Sequence, residues 1–163
     1  MDFIIKLVFV LFIFIQTWFF QLQNDEWDIT RSMLKDANNM AVHDASMELD
    51  TAALALGDII INRDEAMQTF TETLEANLGL DANLIPRSGS RLRAKVEIVD
   101  FRILDDSNTT FPILYEDPDH GITKYLTGPA VVAVIKTKHP VLIVRTKQQA
   151  DIQVPAIQEY KYK

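Results

Sequence analysis

The chain contains no cysteine. Disulfide staples, thiolate metal sites and thiol nucleophiles are therefore excluded. Glycine is scarce, five in 163 residues, and nothing resembles a glycine-rich phosphate loop. Only three histidines occur, His43, His120 and His139, and no two have His-x-x-x-His spacing. No Gly-x-Ser-x-Gly is present; Arg87-Ser88-Gly89-Ser90 is a flexible polar turn. The expected catalytic, cofactor-binding and metal sets are therefore empty, and nothing argues for an enzyme. A basic surplus is also missing. The net charge is -7, which argues against a nucleic-acid partner.

A second absence is local. From Asn24 to Leu56 there is neither glycine nor proline; the first helix breaker is Gly57. Charge is uneven as well. Asp25 to Asp81 holds thirteen acidic and three basic side chains, whereas Arg87 to Lys163 holds nine acidic and twelve basic. Such halves are either two solvated faces or complementary surfaces through which copies meet.

What the chain has in excess is a long apolar run. Six of its nine phenylalanines lie in the first twenty residues, and Phe3 to Leu22 carries one charge, Lys6. Twenty helical residues span about 30 Å, the thickness of a bilayer's hydrocarbon. A cleavable signal peptide needs small residues after its apolar core. Here Trp18-Phe19-Phe20-Gln21-Leu22-Gln23 follows instead. The segment is therefore expected to stay attached and cross a membrane, with Trp18 and Trp27 at its interface. Lys6 before it and Asp25-Glu26-Trp27-Asp28 after it place the N-terminus in the cytoplasm and the remainder outside.

Beyond the apolar run the helical pattern continues. Met33, Met40, Met47 and Leu54 recur every seven residues, and Ala37, Ala41 and Ala45 every four. This predicts one helix from about residue 3 to residue 56 with a weakly apolar stripe. The stripe packs on the chain's own head, on another helix, or on both along different parts of its length. Asn62-Arg63-Asp64-Glu65 has the form of a capping box. Met67, Phe70, Leu74 and Leu78 follow at helical spacing, with Gly79 as terminator, so a second helix spans 63–78. From Leu92 the period becomes two, with a phase shift at Val99 that marks a bulge. Further strands are expected at 111–115, 130–138, 141–147 and 152–157, with Pro112 confining the first to an edge. The predicted fold class is α+β: a long N-terminal helix, a second short helix and a small antiparallel sheet of about four strands. The domain reading is 1–23 transmembrane or filament-core helix, 24–56 amphipathic stalk and 57–163 globular head. In the head, Glu116, Asp117 and Asp119 offer clustered oxygen ligands of the kind that hold Ca²⁺, although their spacing is not that of an EF-hand.

An apolar N-terminal helix running into an Ala-rich stalk, ahead of a small antiparallel sheet, resembles type IV pilins. It is also similar to the pseudopilins of tight-adherence systems. The resemblance is one of architecture, with the sequence likeness confined mainly to residues 1–56. It implies subunits that wait in the membrane, are extracted by a secretion and assembly machinery, and bundle their helices as a filament core. The glutamate such pilins carry near the start of the helix is replaced by Ile5, and no leader is expected ahead of Met1 unless it has already been removed. Asp2 and Lys6, four residues apart, can pair along one helix or between neighbours. The residues expected in helix packing are Asp2, Lys6, Phe9, Phe12, Ile13, Met33, Ala37, Met40, Ala41 and Met47. The expected partners are the membrane, copies of the chain and the assembly machinery. The functional expectation is a structural pilin-like subunit; the alternative is a signal-anchored extracytoplasmic binding or assembly factor that stays in the membrane.

Overall fold

A computed structural model describes residues 2–139 and 150–161. The elements are α1 (Asp2–Ala45), α2 (Thr51–Leu56), α3 (Arg63–Leu78), β1 (Glu97–Leu104), β2 (Ile113–Asp117), β3 (Ile122–Leu126), β4 (Ala130–Lys138) and β5 (Asp151–Glu159). The fold class is α+β. The strand expected at 141–147 lies outside the described residues.

The first helix is 44 residues long and ends eleven residues earlier than the expected residue 56. No glycine or proline stops it. The chain leaves the helix because local side chains and a distant segment offer its backbone better partners. The Ser46 hydroxyl turns back to the His43 carbonyl at 2.7 Å, a competing bond typical of serine. The Asp50 N–H donates to Ile60 O at 2.8 Å and the Asn62 N–H to Glu48 O at 2.8 Å. Residues 48–50 thus run beside 60–62. Asp50 then caps α2 through its carboxylate.

The α3 boundaries coincide with the sequence pattern. Asn62 Oδ1 accepts from the Asp64 and Glu65 N–H groups, and Gly79, at φ 64°, closes the helix. The Glu65 half of the capping box is not made, since the Asn62 N–H is taken by Glu48. Phe70, Leu74 and Leu78 point from α3 into the core, where Phe70 meets Phe101 of β1 with centroids 5.1 Å apart.

The sheet has the order β1-β4-β5, all antiparallel, with β2 and β3 forming a separate hairpin. The register shift between Ile98 and Asp100 is the expected bulge at Val99. It keeps Val96 and Ile98 on the same core face as Phe101 and Ile103. The central strand β4 is buried along almost its whole length. Val131, Ala133 and Ile135 face the helices. Val132 and Val134 face the hairpin residues Ile122 and Tyr115. Burial on both faces explains its unbroken apolar run, where a one-sided strand would alternate. Pro155 sits in β5 opposite Val134, which an edge strand tolerates because it lacks a neighbour on one side. The hairpin strand β3 was not anticipated; it is short and lies between the breakers Pro118, Gly121 and Gly128.

Half of α1 belongs to this core. Leu34, Ala37, Ala41, Val42 and Ala45 are buried with α3 and the sheet. Asn38 is fully buried, and its amide donates to the carbonyls of Ala133 at 3.1 Å and Val154 at 3.0 Å. One side chain thereby ties α1 to two neighbouring strands.

Phe70 lies at the centre of these contacts and is fully buried. Phe70→Ala is expected to lower the unfolding free energy of the head by about 3–5 kcal/mol. Denaturant unfolding of the full chain in detergent, followed by near-ultraviolet circular dichroism, measures this; a loss below about 1 kcal/mol would place Phe70 outside the cooperative core.

Candidate functional site

The apolar half of α1 has no cover among the described residues. The large apolar side chains from Phe3 to Leu22 are all exposed, with Phe3 at 76% and Phe20 at 68%. The helix is long and apolar enough to cross a membrane, and none of its most apolar window is buried within the chain. Two of its polar side chains find partners locally. Lys6 Nζ lies 3.1 Å from Asp2 Oδ2, and the Thr17 hydroxyl donates to the Ile13 carbonyl at 2.9 Å. Internal partners of this kind are what an apolar solvent demands.

The change of surroundings is abrupt. Arg91 reaches Glu26 at 3.2 Å, and His139 meets Trp27 edge-on with centroids 5.0 Å apart. Thr30 is the first buried residue of the helix. Within about two turns α1 passes from having no protein neighbour to being a core element.

The residues expected in helix packing divide between these two environments. Asp2, Lys6, Phe9, Phe12 and Ile13 lie on the uncovered half. Ala37 and Ala41 are buried against the chain's own head, and Met33 is partly buried against it. The seven-residue methionine repeat is not the packed stripe: Met40 is 52% exposed, and Met47, in the turn after α1, is 53% exposed. The four-residue alanine repeat beside Leu34 is the packed one. Its small side chains allow the strands to approach closely.

A second constellation joins the hairpin to the sheet. Asp100, Asp117 and His120 offer ligand atoms within 4.8 Å of one another. The bulge at Val99 and the alternation of β2 create this set. The expected cluster of Glu116, Asp117 and Asp119 is not assembled, because Glu116 and Asp119 are exposed while Asp117 is buried. Arg102 already balances the carboxylates. Its Nε is 2.7 Å from Asp100 Oδ2, and its Nη1 is 3.7 Å from Asp117 Oδ2 and donates to the Tyr115 hydroxyl at 3.3 Å. His120 Nδ1 lies 2.9 Å from Asp117 Oδ2. The hydrogen bond from His120 holds the Asp117 carboxyl below the usual aspartate range; Arg102 adds to this and burial opposes it. Burial pushes the Tyr115 hydroxyl up. The arrangement is a polar clamp beside the apolar contact of Ile122 with Val132 and Val134. In the sequence the phase shift at Val99 and the acidic loop containing Asp117 pointed towards it, but not to Asp100, Arg102 or His120 as partners.

Comparison with protein-family models, with curated proteins and with solved structures finds no match to this chain.

The clamp has a pH consequence. A folded value below the unfolded one gives stabilisation that is complete above the ordinary aspartate pKa of about 3.9 and is lost as pH falls past it. Amide exchange in β2 and β3 is therefore expected to be steady from pH 7 to 5, after correction for intrinsic rates, and to accelerate at lower pH. In Asp117→Asn the acid-induced step should disappear; its persistence would assign it to another group.

Proposed function

We propose that this chain is a structural, pilin-like subunit of an extracellular surface filament. In this reading it is held first in the membrane and then assembled by bundling of its apolar helix. The observation that carries the proposal is the division of α1. One half is locked into the head core, while the apolar half has no partner among the described residues. Lipid satisfies that surface before assembly, and copies of the same helix satisfy it afterwards. A rigid continuation into the head lets each head follow the packing of its helix.

The sheet edges support the same reading. The outer strand β1 carries a bulge and the outer strand β5 carries Pro155. Both features discourage pairing with a strand from another chain. Helix packing is then favoured over pairing at the edges of the β1-β4-β5 sheet. The topology proposed is single-pass, with the N-terminus cytoplasmic and the head outside, following Lys6 and the acidic residues Asp25, Glu26 and Asp28. An assembly machinery that extracts the helix is part of the proposal.

The absence of cysteine gives a clean test. Phe12→Cys carrying a thiol-linked photoreactive group is expected to cross-link to a neighbouring copy on illumination of intact cells. Lys6→Ala should leave membrane insertion unchanged and lower the ratio of filament to membrane-held protein about tenfold, equivalent to ~1.4 kcal/mol per subunit. Monomeric Phe12→Cys protein together with undiminished Lys6→Ala behaviour would favour the alternative, an anchored binding or assembly factor.

A further inference from the structure

The exposed side of α1 does not become featureless where the head begins. A groove of about 420 Å³ opens there, lined by the apolar Ile29, Met33, Ala37 and Met40 together with Ser32, Asp36 and Asn77 of α3. It is apolar, it contains one carboxylate, and no basic side chain lines it. Asp36 has no ion-pair partner among the described residues. An occupant that fits is apolar, elongated and singly cationic. The uncovered half of α1 offers this between Phe3 and Leu22, where Lys6 is the one charge, and its ammonium has donors to spare beyond the 3.1 Å contact with Asp2.

We infer that the groove receives the beginning of α1 from a second copy, with Lys6 of that copy opposite Asp36. This rests on the filament reading above and specifies its contact. The register follows from the charges. Asp36 lies thirty residues beyond Lys6, which sets neighbouring copies apart by about 45 Å along the helix axis. In the same register Phe9 comes level with Asn39 and Met40, and Asp2 with Ser32, whose hydroxyl can donate to a carboxylate.

Helix geometry adds a directional consequence. At about 100° per residue, Asp2, Lys6, Phe9 and Ile13 share one face of α1. Ile29, Met33, Asp36 and Met40 share another, on roughly the opposite side. The inserting surface and the receiving surface are therefore different patches, displaced both around and along the helix. Such a contact is heterologous. It leaves a free inserting end and a free groove after every addition, so it propagates instead of closing as a dimer.

The experiment uses the full chain in cells that assemble it, with Phe9→Cys and Met40→Cys combined in one molecule. Mild oxidation is expected to give a ladder of dimers, trimers and larger species on a denaturing gel, while each single variant gives none. Met40→Glu, at an exposed position that leaves the head fold intact by circular dichroism, should lower filament yield at least tenfold. A double variant that stops at dimers, or does not cross-link while Phe12→Cys does and filaments persist, overturns this contact and leaves the filament reading standing. Loss of cross-links at all three positions in wild-type-like membranes, with no filaments, overturns both.

Discussion

Everything in this molecule depends on one helix that must satisfy two different solvents. The second half of α1 contributes Leu34, Ala37, Ala41 and Val42 to the core, and its Asn38 bridges two strands. The first half presents an apolar surface with no partner among the described residues. A cylinder of exposed Phe, Ile, Leu and Val is strongly unfavourable in water, at roughly 25 cal/mol per Å². Its surroundings must therefore be lipid or protein at every stage. Because the helix is continuous across the junction at Trp27, what happens to the first half is transmitted to the head as a rigid body.

The head is arranged to serve as a firm handle. Its central strand is buried on both faces, by the helices on one side and by the β2–β3 hairpin on the other. The hairpin is fastened twice, by Ile122 and Tyr115 on the apolar side and by the Asp100–Arg102–Asp117–His120 clamp on the polar side. A charged network with an arginine already in it stabilises a docked element more readily than it recruits an ion. The clamp accordingly fastens the hairpin to the sheet.

Much of this was legible in the sequence, for identifiable reasons. The apolar run, the limits of α3 and the bulge at Val99 each rest on a local signal: composition, an N-cap with a terminating glycine, and a change of phase. The end of α1 was not legible, because Ser46 and Asp50 break the helix with help from residues 60–62, which are close only in the folded chain. The same holds for the clamp, whose members come from β1 and the hairpin turn. The methionine repeat misled for a different reason. A seven-residue spacing does keep Met33 and Met40 on one face of the helix, but that face is turned away from the one carrying Leu34, Ala41 and Ala45, and Met47 lies beyond the helix end. The groove beside Asp36 needs Asn77 of α3 and appears only in three dimensions.

The central claim is that the uncovered half of α1 ends its assembly route inside a bundle of its own copies. Electron microscopy of the cell surface before and after deletion of this chain tests it most directly. The account predicts that surface filaments vanish on deletion and return on complementation, with the protein recovered in the sheared filament fraction. Unchanged filaments, with the protein found solely as a monomer in the membrane, would contradict it.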